Sequence, residues 1–262
     1  MFVPVEDAHD QRLAQFRRNE RELANRGDKR DDAGSGLFLA EGDLVVARAL
    51  DAGCRPFAGL ADGERIPLVA QRLIDAGVDV YVGGEDVRRL VTGLGTPQPI
   101  VALFHRPARA SARDLLERCD QLVIVEGVDN PANVGAIVRS AAAFGWDGML
   151  LDHTSADPLA RRALRVAMGT AFTLPHARTR HLVDDLRESH GFTLYALTPD
   201  PAALDIRTVT PNPRRAVMIG SERAGLSAEI LAIAIPLRIP MASGVNSLNA
   251  GAAAAVACYA LA

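Results

Sequence analysis

The sequence predicts an α/β protein of two domains whose C-terminal half is built on a mostly parallel sheet covered by helices. Short strands alternate with helices of about ten residues along most of the chain, the spacing of βαβ units. Continuous apolar strands such as Leu122 to Val125 and Ala216 to Ile219 imply burial on both faces, as in a parallel sheet. Three glycine-bearing turns each follow a strand in the second half, where such sheets bind ligands.

Asp7 to Gly27 reads as a charged helix with Leu13, Phe16 and Leu23 on one side and a solvated face of interleaved arginines and acids. Gly27 to Gly36 is polar and reads as a connector, so residues 1–35 form a helix-and-connector arm. In residues 36–107 the expected elements are a helix at Gly42 to Ala52, a strand at Pro56 to Leu60 and a helix at Pro67 to Ala76. A strand at Val78 to Val82, a helix at Glu85 to Leu94 and a strand at Pro99 to Phe104 complete a small α/β domain. Residues 108–120 carry a linker helix, read from Pro107 to Cys119.

Residues 121–262 hold the larger domain. After the Gln121 strand comes a helix from about Asn133, a strand at Gly148 to Leu151 and a helix at Asp157 to Gly169. A helix at His181 to His190, strands at Phe192 to Leu197 and Ala216 to Ile219, and a helix near Ser227 to Ala234 follow. The chain closes with a strand at Leu237 to Met241 and an alanine-rich helix from about Ser247. That helix is apolar nearly all round, so it is expected to be buried.

Composition narrows the function classes. At 262 residues with 48% hydrophobic and 23% charged, the chain is an ordinary globular one. A net charge of −3 argues against coating nucleic acid non-specifically but leaves room for local clusters of arginine. Three cysteines without a CxxC form neither a disulfide framework nor a zinc site, and they point to a reducing, cytoplasmic setting. No signal peptide is read at the N-terminus. The most apolar segment, Ala250 to Ala262, is too short to span a bilayer.

The three turns are GVDNPANVG (Gly127 to Gly135), GSERAG (Gly220 to Gly225) and PMASGVNSLN (Pro240 to Asn249). None is a dinucleotide fingerprint, and GSERAGLS lacks the lysine of a phosphate loop. Their side chains are Asn133, Arg139, Glu222, Ser247 and Asn249: amides, a hydroxyl, one fixed cation and one carboxylate. No metal-ligand cluster or nucleophile triad is present. The set suits a polar organic ligand beside a phosphate-bearing substrate, with chemistry by positioning.

NPANVGAIVRSAAAFG, IGSERAGLS and IPMASGVNSLN, in that order, resemble the three motifs of the SpoU-type (TrmH) RNA ribose 2′-O-methyltransferases of the SPOUT superfamily. Residues 36–107, from LFLAEG to PIVALF, are similar to the N-terminal RNA substrate-binding domain of many members. The resemblance implies a trefoil knot in the C-terminal domain, S-adenosylmethionine bound in it, and a homodimer whose active site uses both subunits. It implies that Asn133 helps place the reacting ribose, that Arg139 is the catalytic arginine, and that Ser247 and Asn249 lie near methyl transfer. Glu222 is expected to support the loop, and Ile219, Gly220, Ile239, Met241 and Leu248 to hold the cofactor largely through backbone groups.

The chain departs from the family pattern at Ala250–Gly251, where valine and serine are usual, and at Ala167, where many members carry serine. Arg161, Arg162 and Arg165 share one helix and are expected to line a phosphate track with Arg139 and Arg223. Aromatics are 5%, so RNA is expected to be recognised by shape and backbone. The resemblance implies ribosomal RNA ahead of transfer RNA as the substrate. The alternatives are a non-catalytic RNA-binding protein on the same fold and a knotted enzyme that methylates a base.

Overall fold

The computed structural model describes residues 1–25, 36–93, 95–189 and 191–262. The expected connector lies outside the described residues except for Gly36, as do Arg26, Leu94 and His190. The chain forms two compact units: one from Met1–Ala108 with Leu159–Phe172, the other from Arg109–Pro158 with Thr173–Ala262.

The first unit carries β1 (Phe2–Pro4), α1 (Glu20–Leu23), β2 (Leu37–Glu41), α2 (Asp43–Asp51), β3 (Pro56–Asp62), α3 (Leu68–Asp75), β4 (Val80–Gly83), α4 (Glu85–Thr92) and β5 (Ile100–His105). Its sheet has the order β1-β4-β3-β5-β2. β1, β4 and β3 pair in parallel, and β5 runs antiparallel to both its neighbours.

The N-terminal arm is not the separate charged helix that its pattern predicts. β1 joins the sheet, and a 3-10 turn at Gln11–Arg17 is followed by the short α1. The side chains of Asp10 and Asn19 accept nearby backbone N–H groups, which divides one expected helix into two capped pieces. Leu13, Phe16 and Leu23 are buried with Leu39, Leu60 and Leu103, so residues 1–25 are part of this unit's core.

The second unit carries α5 (Ala112–Arg118), β6 (Gln121–Glu126), α6 (Pro131–Ala143), β7 (Gly148–Asp152), β8 (His176–Thr179), α8 (Leu182–Glu188), β9 (Thr193–Leu197), β10 (Leu204–Asp205), β11 (Arg215–Gly220), α9 (Ala228–Leu231), β12 (Ile235–Arg238) and α10 (Ala250–Ala260); α7 (Arg161–Val166) lies in the first unit. The seven strands take the order β10-β12-β9-β11-β6-β7-β8, and the recorded pairings are all parallel. Leu122 to Val125 and Ala216 to Met218 are fully buried at the centre, as their unbroken apolar runs require.

The expected linker helix is a core element. It starts at Ala112, where Ser111 forms a capping box with Asp114, and it packs Leu115 and Leu116 against Leu122 and Ile124. α6 begins with Pro131 at its first position, capped by Asn130, so Asn133 lies inside the helix. α10 begins after Asn249, not at Ser247, and β12 ends before Ile239.

The segment Leu159–Phe172 is held by the first unit through specific contacts. The Arg161 amide donates to Glu20 at 2.7 Å, the Arg161 guanidinium pairs with Glu41, Arg48 donates to the Met168 carbonyl, and Phe172 packs 5.5 Å from Phe38. The single helix expected over Asp157 to Gly169 is shorter for that reason. Its first residues remain in the second unit, where Asp157 pairs with Arg109 at 2.7 Å. Ala167 is fully buried within the first unit, away from any solvent contact.

Candidate active site

β6 and β11 lie side by side, and their connections leave in opposite directions: β6 leads through α6 to β7, while β11 has β9 on its other side. Such a switch point opens a crevice beyond the C-terminal ends of the strands. Gly127 turns the chain there with φ +69°, and a Cβ on it would lie 3.6 Å from Cβ of Ser221 on the second turn.

The second turn folds tightly on itself. The Gly225 amide donates to the Ser221 carbonyl at 2.9 Å, and the Ala224 amide donates to Ser221 Oγ at 3.1 Å. A Cβ at Gly220 would sit 2.2 Å from the carbonyl carbon of Gly225, so only glycine allows this closure. Glu126, at the end of β6, fixes the far side of the turn. Its carboxylate accepts both the backbone amide and the hydroxyl of Ser227, each at 2.7 Å. The Ser227 hydroxyl in turn accepts the Ile230 amide and caps α9.

Between the second and third turns lies a cleft of about 360 Å³. Ile219, Gly220, Ile239, Met241 and Leu248, the residues expected to hold a cofactor, all line it, together with Glu222 and Ser247. Leu197 to Pro199, Leu226 and Leu237 supply further wall, and Glu222 and Arg223 bring one charge of each sign. An apolar cleft with a few polar groups and bare backbone suits a flat, charged organic molecule.

The first turn is tied to this cleft through α10. Asn249 donates its side-chain Nδ2 to the side-chain Oδ1 of Asn133 at 2.9 Å, while its own Oδ1 accepts the amides of Gly251 and Ala252. Gly251 lets α10 press against α6: a Cβ there would approach the Ala136 Cβ to 2.7 Å. The departure from serine at Gly251 therefore accommodates a close helix crossing. Trp146 clamps the other end, donating its indole N–H to the Cys258 carbonyl at 3.1 Å.

Asp152, at the end of β7, organises the backbone of the first turn. It accepts the Gly127 amide at 2.9 Å and the amides and hydroxyls of Thr154 and Ser155. Burial pushes this carboxyl up, but the hydrogen bonds from Ser155, Thr154 and Gly127 outweigh it, and the net result is a lowered pKa.

Arg139 and Asn133 do not line the cleft of their own chain. Asn133 is buried, whereas Arg139 is exposed and makes no hydrogen bond or ion pair among the described residues. Glu222 is exposed and makes no hydrogen bond among the described residues, and the hydrogen bonds inside its turn run through Ser221. The expected phosphate track divides. Arg161 is engaged with Glu41 and with the Thr92 carbonyl, Arg165 approaches Glu41 at 3.7 Å with half its side chain exposed, and Arg162 is exposed. Glu126, Asp152 and Ser227 were not singled out from sequence, because each is a common residue type that matters only through a partner distant in the chain.

α10 is not buried all round. Ala254, Ala257 and Cys258 face the core, while Val256 and Tyr259 are exposed, with Tyr259 at 72% and edge-on to Phe144 at 5.5 Å. Among the described residues, no helix is long and apolar enough to cross a membrane.

Known proteins share this chain's sequence and fold. The family model described as the SpoU rRNA Methylase family matches residues 120–259. A Mycobacterium tuberculosis protein described as an uncharacterized tRNA/rRNA methyltransferase is 34% identical, over 97% of this chain and 89% of its own length. The 23S rRNA (guanosine(2553)-2′-O)-methyltransferase RlmP of Bacillus subtilis is 30% identical, over 88% of this chain and 90% of its own. The crystal structure of an AdoMet-bound rRNA methyltransferase from Sinorhizobium meliloti superposes with a TM-score of 0.81 at 26% identity, covering 99% of this chain and 97% of that one. The chain belongs to the SpoU rRNA methylase family.

Proposed function

We propose that this chain, an S-adenosylmethionine-dependent RNA methyltransferase, acts on a ribose 2′-hydroxyl of ribosomal RNA as a cytoplasmic homodimer. The observation that carries the reading is the convergence of Ile219, Gly220, Ile239, Met241, Ser247 and Leu248 on one cleft at the switch point of the sheet. The trefoil knot implied by the resemblance belongs to the same proposal.

The residues present fit the cofactor. Gly220 leaves backbone bare along one wall, and Ile219, Leu237, Ile239 and Leu248 offer apolar surface to a planar group and a thioether-like chain. S-adenosylmethionine supplies a methyl group already activated on a sulfonium. The protein's tasks are therefore to hold the ribose in line and to accept or pass on one proton.

Arg139 is assigned the first task. A guanidinium stays protonated in essentially all proteins, and a phosphate beside it favours the cation further. Its forked donors orient the RNA phosphate and ribose, and the hydroxyl proton leaves to a neighbouring oxygen or water. Asn133, Ser247 and Asn249 shape the surroundings of the hydroxyl.

Two observations support the homodimer. Arg139 stands outside its own chain's cleft, free to serve a second copy, and α10 offers Val256 and Tyr259 as an exposed apolar face. Free cysteines throughout are consistent with a reducing compartment. Mapping 2′-O-methylation of cellular ribosomal RNA with and without the gene tests the reading. Loss of a mark is expected, and identical maps would contradict it.

A further inference from the structure

The first unit contains a second cavity, of about 440 Å³, which the catalytic reading does not use. Its apolar floor includes Phe38 and Val91, and Leu90, two-thirds exposed, stands at its edge. Among the described residues, four arginines line it (Arg17, Arg18, Arg106 and Arg161) against one acid, Glu20. The protein as a whole carries a net charge of −3, so this concentration of positive charge is local.

Arg161 gives the cavity a directed donor. Its Nε pairs with Glu41 and its Nη1 donates to the Thr92 carbonyl at 2.8 Å. These bonds hold the guanidinium plane in place, yet its Nη2 is buried and bonds to no acceptor among the described residues. A buried donor without an acceptor is uncommon in proteins and is satisfied by a ligand or water. Arg18 is exposed at the rim and makes no ion pair among the described residues. The cavity thus combines an apolar floor, a fixed hydrogen-bond donor and a cationic rim, in a volume suited to a single small ligand.

We infer that this cavity receives one unstacked nucleotide of the RNA substrate, the base lying against Phe38 and Val91, base oxygens meeting Arg161 and the phosphate meeting Arg18. Sequence-specific RNA recognition works mainly on bases splayed out of loops and bulges, which are read on their edges and by arginine planes. The inference rests on RNA being the substrate. It also explains why a segment from the middle of the chain, Leu159–Phe172, is built into the first unit: that segment delivers Arg161.

The test is equilibrium binding of the full-length protein to protein-free large-subunit ribosomal RNA transcribed in vitro. Two variants at exposed positions avoid the core: Arg18→Glu reverses a charge, and Leu90→Trp fills space without changing charge. Each is expected to weaken RNA binding by about tenfold, with unchanged affinity for S-adenosylmethionine, and Arg18→Glu is expected to flatten the salt dependence by about one unit of slope. Wild-type RNA affinity in Leu90→Trp would overturn the inference whatever Arg18→Glu does, since a general electrostatic effect needs no cavity. If wild-type protein still transfers methyl groups in that case, the catalytic reading stands without it.

Discussion

Asn249 and Asn133 are 116 positions apart in the chain and share a 2.9 Å hydrogen bond, donated by the Asn249 amide. The same asparagine caps α10 with its other side-chain atom, accepting the Gly251 and Ala252 amides. One side chain therefore starts the last helix and fastens it to the helix that carries Arg139. The residue that ends the third turn is also the residue bonded to the first turn's Asn133.

Asn249→Ser separates these two tasks, because serine caps helices about as well as asparagine but does not reach Asn133. The substitution is expected to lower stability by about 1 kcal/mol and to reduce methyl transfer, with S-adenosylmethionine still bound. A double-mutant cycle with Asn133→Ala is expected to give a coupling of about 0.5–1.5 kcal/mol. Strict additivity in urea unfolding would contradict the tie.

Glu126 holds Ser227 by two charge-assisted bonds and so sets the height of the turn that walls the cleft. Glu126→Gln keeps the shape but leaves a weaker acceptor and places an N–H₂ against a donor. The expected outcome is a KM for S-adenosylmethionine raised severalfold while kcat moves little, with a stability loss of about 1–3 kcal/mol. An equal drop in kcat at unchanged KM would assign Glu126 to the reaction itself.

Asp152 gives the C-terminal unit an acid-sensitive joint. Its folded pKa lies below its unfolded one, so its contribution is fully present above the unfolded value of about 3.9 and is lost as pH falls through the folded value. Wild-type protein is expected to lose stability below pH ~4, while Asp152→Asn is less stable at pH 7 and loses less in acid. The single tryptophan, Trp146, is buried in this unit and reports its unfolding by fluorescence. Identical acid slopes for the two proteins would refute the assignment.

The exposed face of α10 predicts the assembly. Tyr259→Arg places a charge on that face without touching Ala254, Ala257 or Cys258 in the core. Light scattering is expected to show a monomer, with methyl transfer lost and the fold retained. A Tyr259→Arg protein with unaltered mass and activity would remove this face from the interface.

Much of the site was legible in the sequence because its parts are local. A strand of four apolar residues, a glycine that only a tight turn requires, and an asparagine before a helix each announce themselves within a few positions. Ile219, Gly220, Ile239, Met241, Ser247 and Leu248 accordingly meet in one cleft as expected. The short strands at Phe2–Pro4, His176–Thr179 and Leu204–Asp205 were not foreseen. Each lies towards the edge of its sheet, is short and mixes polar residues or proline with apolar ones, so neither period nor burial marks it. What the sequence hid most completely were pairings at a distance. Arg161 read as one of three helix arginines on a phosphate track, and only its ion pair with Glu41, 120 positions away, reveals it as a fixed donor inside the first unit.

On the proposed function, this chain methylates ribose while Arg139 orients the RNA for it. The direct measurement is transfer of labelled methyl from S-adenosylmethionine to ribosomal RNA, followed by digestion to nucleosides, for wild type and Arg139→Lys. The label is expected in a single 2′-O-methylnucleoside, with Arg139→Lys slowed by about 100-fold or more at unchanged cofactor affinity, because lysine keeps the charge but loses the fork. Label on a base, or an Arg139→Lys enzyme as fast as wild type, would contradict the account.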